Sequence, residues 1–164
     1  MKKVDLYTWL AMYEVNHGNA RQWGNTSGIV RVPAKEELDN YFRAGGMAGY
    51  VQNVHWCGIF QVYLLKKAGV RCSWSREIVD DSGGADLEIT QGQEARTGLR
   101  FGDILKVSHN QHHFMALEAV EKGSIRCIEG NAGGVGNPLL ATNWALTAIN
   151  NTVETIQFRY RVVS

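Results

Sequence analysis

Only two prolines fall among the 164 residues, so no proline-rich linker divides the chain and its punctuation rests on eighteen glycines. Cysteine is nearly as scarce. Cys57, Cys72 and Cys127 form no Cys-x-x-Cys pair and, being three, cannot all be bridged, which argues against a zinc site or a disulfide framework. A single Cys72–Cys127 bridge stays open for an exported protein. Charge of one sign is missing too: seventeen basic and sixteen acidic residues leave a formal net charge of +1 with no basic block, so the electrostatic footprint of a nucleic-acid binder is absent. No apolar run approaches the roughly 20 residues of a transmembrane helix, and no membrane insertion is expected. Met1-Lys2-Lys3 opens as a signal peptide would, yet Asp5 and Glu14 interrupt any apolar stretch and no small-residue cleavage site follows. Synthesis in a cytoplasm without a signal peptide is the expectation. Asp80, Asp81, Asp86 and Glu88 lack EF-hand spacing, and neither a metal nor any other cofactor is expected.

What the chain does have is 45% hydrophobic content, enough for one packed domain over residues 1–164. Val4 to Val15 reads as an amphipathic helix with Leu6, Tyr7, Leu10, Ala11 and Tyr13 at helical spacing, ended by Asn16-His17-Gly18-Asn19. Ala20 to Val32 is polar and reads as a loop, with Trp23 as an anchor. Pro33 opens a second helix through Ala44, with Leu38, Tyr41 and Phe42 inward and Gly45-Gly46 as the stop. A third helix runs from about Trp56 to Ala68: Ile59, Phe60, Tyr63, Leu64 and Ala68 recur at three and four residues, Lys66 and Lys67 fill the last turn, and Gly69 stands at the C-cap. Short helical patterns follow at Arg76 to Val79 and Gln91 to Arg96, around a loop at Asp81 to Ala85.

From Phe101 the period changes from helical to alternating. Ile104 to Val107, His113 to Val120 and Ser124 to Glu129 read as an antiparallel meander, turning at Ser108 to His112 and at Glu121-Lys122-Gly123. Gly130 to Pro138 is a glycine-rich loop, Leu139 to Ile149 fits either period, and Thr152 to Val163 alternates as a closing strand.

Chemistry concentrates where these halves meet. Cys57 falls in the first turn of its helix, where unpaired backbone N–H groups and the macrodipole favour a thiolate. A helix start with a histidinium nearby lowers a thiol pKa from about 8.5 to about 3.5–7.5. Period-two alternation puts His113, Met115 and Leu117 on one strand face, with Phe114, Ala116 and Glu118 on the other. In the next strand Glu129 and Asn131 share a face. Cysteine as nucleophile, histidine as proton carrier and a carboxylate or amide fixing the imidazole make a workable relay. Tyr50, Gln52 and His55, on the approach to the helix, are candidate side-chain donors to an oxyanion.

The run Trp56-Cys57-Gly58-Ile59-Phe60, then Gly102-Asp103-Ile104-Leu105, His113-Phe114-Met115-Ala116-Leu117-Glu118 and Ile128-Glu129-Gly130-Asn131, resembles a CHAP domain (cysteine, histidine-dependent amidohydrolase/peptidase), a family related to the NlpC-type peptidases. The likeness spans roughly Ala44 to Asn131 by motif order. It implies an α+β, papain-like fold: N-terminal helices, the nucleophile at the start of a central helix, and an antiparallel sheet against it. It also implies cleavage of amide bonds in bacterial peptidoglycan, either between glycan and stem peptide or within the peptide. Matched residue by residue, Cys57 is the nucleophile, His113 the base with His112 its rival, Glu129 the group that orients it, and Asn131 a further polar member. Gly58 and Gln61 depart from the small apolar residues usual in that turn. A phage lysin or an injected antibacterial effector would suit such a domain, with peptidoglycan or its fragments as partner and, for an effector, a cognate inhibitor or immunity protein. A papain-like protease, deamidase or acyltransferase on a host protein, and a catalytically silent binding domain, are the alternatives.

Overall fold

The computed structural model describes residues 1–22, 28–108, 111–117, 124–131, 139–145 and 155–164. Expectations for Trp23, for 118–123, for the glycine-rich loop at 132–138 and for 146–154 fall outside these. Three helices come first: α1 (Lys3–Asn16), α2 (Lys35–Ala44) and α3 (Cys57–Lys67). Tyr7, Leu10, Ala11 and Val15 make the buried stripe of α1. Tyr13, expected to face inward, is exposed instead and stacks on Trp9 at 5.5 Å and on His17 at 4.4 Å. Pro33 stands outside α2 rather than in its first turn. The cap is Ala34, whose N–H is accepted by Glu37 Oε1 at 3.1 Å. At the far end of α3, Gly69 adopts φ +84°, and Gly69 N–H and Val70 N–H return to Lys66 and Leu65 carbonyls at 3.0 Å, the hydrogen-bond pair of a Schellman ending.

The strands are β1 (Arg21–Gln22), β2 (Ile29–Arg31), β3 (Cys72–Trp74), β4 (Ile78–Asp80), β5 (Leu87–Gln91), β6 (Ile104–Val107), β7 (His112–Ala116), β8 (Ser124–Gly130), β9 (Leu139–Ala145) and β10 (Ile156–Val162). Eight of them form one antiparallel sheet ordered β1-β2-β9-β8-β7-β6-β10-β5, and β3 pairs with β4 in a separate hairpin. The fold is therefore α+β. Register puts Ile104 beside Met115 and Met115 beside Ile128, and these three join the core shared with the helices. Leu105, Phe114, Ala116 and Cys127 take the opposite face, covered by Ala95 of a short 3₁₀ helix at Gly92–Arg96. Among the described residues no helix is long and apolar enough to cross a membrane.

Two expectations are corrected. Arg76 to Val79 is not helical, because Arg76 sits at φ +62° and Ile78, buried, precedes Val79, exposed, in the alternation of a strand. Ala20 to Val32 is not all loop. Its polar composition hides β2, whose Arg31 is buried because Glu14 and Glu37 receive its guanidinium.

Candidate active site

Trp56 is the cap residue of α3 and Cys57 its first residue. Phe60 N–H is the first to reach a carbonyl of this stretch, that of Trp56 at 2.9 Å, so the preceding N–H groups have no acceptor within the helix. Two glycines set how closely α3 meets the sheet. A Cβ on Gly130 in β8 would lie 2.6 Å from Trp56 and 3.0 Å from Phe60, and a Cβ on Gly58 would lie 2.3 Å from the Trp74 ring and 3.0 Å from His113 Nδ1. Both side chains must be absent for the helix start to press against β7. Gln61, the other departure from the family pattern, is fully buried, accepts from Tyr7 Oη at 2.5 Å and donates to the Ile128 carbonyl at 3.4 Å.

The close approach lays the sulfur along the start of β7. Cys57 Sγ is 3.8 Å from His113 Nδ1, accepts from the His113 backbone N–H at 3.4 Å and lies 3.9 Å from the Gln111 carbonyl. His112 is near enough to the sulfur to lower the thiol's pKa as well. Two imidazoles thus converge on one thiol, and each has its own carboxylate. His113 is 1% exposed, and its Nε2 is 3.4 Å from Glu77 Oε2 though misaligned for a hydrogen bond. His112 Nε2 meets Glu129 Oε2 at 2.8 Å. Glu129 therefore engages His112 rather than His113, as the register requires: Met115 faces Ile128, so the neighbouring positions place Glu129 on the Phe114 and His112 face. Asn131, at φ +54°, lines an adjoining cavity and has no hydrogen bond to either histidine among the described residues.

Glu77 had no signal in the sequence, lying in a stretch that reads as helical. It accepts from Tyr160 Oη at 2.8 Å and from Lys106 Nζ, which itself lies 5.2 Å over the Phe158 ring. Trp74, also unforeseen, meets His113 edge-on at 5.5 Å between ring centres. The β3–β4 hairpin supplies both.

Burial pushes the Cys57 thiol up, but hydrogen bonds and charge from His112 and His113 outweigh it and bring it down to about 5. Burial opposes protonation of His112, while its bonds to Cys57 and Glu129 raise it to about 10; His113 is raised as well, against its burial, by Cys57 and Glu77. Burial acts against the Glu77 carboxylate, and the nearby His113 imidazole with hydrogen bonds from Lys106 and Tyr160 brings it to about 2. The other two cysteines go the opposite way: burial pushes Cys72 up to about 12 and holds Cys127 well above its ordinary value. The arrangement is that of a thiolate–imidazolium pair at neutral pH.

Cys57 and His113 line a cleft of about 460 Å³ with Trp74, Arg76 and Gln111. A second cavity of about 440 Å³ adjoins it, lined by Tyr50, Gln52, Asn53 and Asn131; Val54 and His55 border both. The approach residues Tyr50, Gln52 and His55 thus stand beside the thiol's cleft rather than on the sulfur.

No protein-family model matches the chain, and no curated protein does. A solved structure described as the crystal structure of Ly7917 is similar at 15% identity and a TM-score of 0.40, over 79% of this chain and 62% of that one. The chain thus spans less than two thirds of that protein's length.

Proposed function

We propose that this chain is a papain-like cysteine amidohydrolase of the CHAP kind, cleaving amide bonds of bacterial peptidoglycan. One observation carries the proposal: of three buried cysteines, the one that lines a cleft at a helix start is also the one whose thiol is lowered, with an imidazole nitrogen 3.8 Å from its sulfur. Support for the papain-like assignment comes from a nucleophile heading a central helix that packs on an antiparallel sheet bearing the histidine. Support for the wall as substrate comes from the motif order described above.

Cys57 thiolate attacks the amide carbonyl carbon, and the free N–H groups of the first turn of α3 hold the oxyanion that forms. His113 donates its Nδ1 proton to the leaving nitrogen, the C–N bond breaks, and an acyl-cysteine remains. The same nitrogen then takes a proton from water, which attacks the acyl carbon and releases a carboxylic acid and the thiolate. Proton transfer of this kind contributes about 10²–10⁴ in rate. Glu77, facing the far nitrogen, orients His113. His112, paired with Glu129, adds a second positive charge that keeps the thiol ionised. As a lysin or an injected effector, the chain does the same chemistry on the same polymer.

Purified protein incubated with peptidoglycan is expected to release fragments with new ends identifiable by mass spectrometry. Cys57→Ala should fold, by circular dichroism, yet lose at least about 10³-fold in rate. Undiminished turnover in that variant would refute the assignment.

A further inference from the structure

Among the described residues, four that are not glycine hold a left-handed backbone: Asn53 at φ 65°, Arg76 at 62°, Gln111 at 51° and Asn131 at 54°. Arg76 and Gln111 line the cleft of Cys57, and Asn53 and Asn131 line the cavity beside it. Asparagine tolerates this conformation, whereas arginine and glutamine are strained in it. Such strain gathers where a ligand is held, because the surroundings must enforce it.

The two spaces differ in chemistry. The 440 Å³ cavity presents the phenol of Tyr50, the amides of Gln52, Asn53 and Asn131 and the imidazole of His55, with no carboxylate, ammonium or guanidinium among its lining residues. Such a set matches hydroxyl and acetamido groups, which exchange neutral hydrogen bonds in both directions. The 460 Å³ cleft is lined by Arg76, exposed and without a hydrogen bond or ion pair among the described residues, beside the Trp74 ring. An unpaired guanidinium on a cleft wall matches a carboxylate, which it binds through paired N–H donors.

We propose that the two spaces form one groove that reads both sides of the scissile bond, a neutral amino sugar on the Asn53 and Asn131 side and a carboxylate-bearing peptide on the Arg76 side. This rests on the peptidoglycan amidohydrolase assignment and narrows it to one bond, the amide that joins the sugar's lactyl group to the stem peptide. Arg76 is then a specificity residue that contacts a carboxylate within a residue or two of that amide. Trp74 packs against the same peptide segment.

The test uses the full chain with soluble substrates: a disaccharide bearing a stem peptide with a free side carboxylate near the cut, the same compound with that carboxylate amidated, and the sugar-free peptide. The expected outcome is new sugar-lactyl ends, a KM about tenfold or more higher for the amidated compound, and at least a tenfold loss in kcat/KM on the sugar-free peptide. Arg76→Gln should have nearly the same KM for the free and amidated forms. Arg76→Gly, which relieves the left-handed backbone and so keeps the fold, should lose the discrimination too. Cys57-dependent cleavage inside the peptide, indifference to the sugar, or an amidation penalty unchanged in both Arg76 variants overturns the groove assignment and leaves the amidohydrolase standing. Absence of Cys57-dependent turnover on any of the three overturns both.

Discussion

At position 58 a single methyl group is the difference between a formed and a displaced Cys57–His113 pair. A Cβ there meets the Trp74 ring at 2.3 Å and His113 Nδ1 at 3.0 Å, and neither partner is the loose end of a flexible chain. Gly58→Ala is expected to cost about 1–3 kcal/mol in stability, as overpacking does. It should also slow turnover by about 10²-fold, since a 1 Å misplacement costs that much; chemical denaturation and steady-state kinetics read the two separately. The thiol itself gives a sharper signature. Because the two histidines bring the Cys57 thiol down to about 5 while Cys57 and Glu77 raise His113 above its ordinary value, thiolate forms as pH rises through the first and the His113 imidazolium is lost only above the usual imidazole range. The pH profile of kcat/KM should be a broad bell with its acid limb near 5 and its basic limb above the ordinary histidine value, belonging to the coupled group rather than to either residue alone. Iodoacetamide at neutral pH should label Cys57 in strong preference to Cys72 and Cys127, and mass mapping of the labelled peptide checks it. At this scale the sequence was informative where a residue type carries its own chemistry, as with Cys57 and the histidine pair. It was silent on Glu77, whose role comes from where a hairpin happens to place it.

The element that completes the site is the β3–β4 hairpin, which brings Trp74, Arg76 and Glu77 to the start of β7. Glu77→Gln removes a charge that faces His113 Nε2 at 3.4 Å and leaves the shape. We expect kcat to fall about 10–10²-fold with KM little changed, less than the about 10⁴ lost when a well-aligned triad carboxylate is neutralised. The same carboxylate is held near 2 in the folded protein against an ordinary 4.5. Its contribution to stability is complete above the ordinary value and disappears as pH falls through the folded one, so wild-type stability should decline between about 4.5 and 2 while Glu77→Gln declines less. Urea melts across that window test it. Long elements with a clear period were legible: α1, α3 and the meander lie where apolar spacing puts them. The hairpin was not, because three-residue strands carry too little periodicity, and Arg76 at positive φ looks like any other polar residue. β2 escaped notice because Arg31, buried against Glu14, breaks the rule that interior strands are apolar.

Among the described residues the sheet joins strands far apart in the chain, since β10 lies between β6 and β5 and β2 pairs with β9. Where α1, α2 and β2 meet, Glu14 accepts from Arg31 Nη2 at 3.2 Å and from Tyr41 Oη at 2.9 Å, and Glu37 takes the other arm of the guanidinium at 2.9 Å. Glu14→Ala strands part of that buried charge, at a cost of about 3 kcal/mol, the low end for such pairs because Glu37 remains. For a chain of this size the melting temperature should drop by roughly 6–12 °C, with the alkylation preference of Cys57 intact at 25 °C. The resemblance pointed to Cys57 and the two histidines, but pairing His112 with Glu129 required the register of β7 against β8, which alternation alone does not fix, and pairing His113 with Glu77 required the hairpin.

The sulfur and the imidazole that ionises it stand 56 positions apart in the chain. An extended polypeptide therefore carries only an ordinary thiol, with a pKa near 8.5, mostly protonated and slow to react at neutral pH. Reactivity is acquired at the moment of folding and surrendered on unfolding. The lowered thiol is therefore a property of the folded topology and not of the cysteine's place in the sequence.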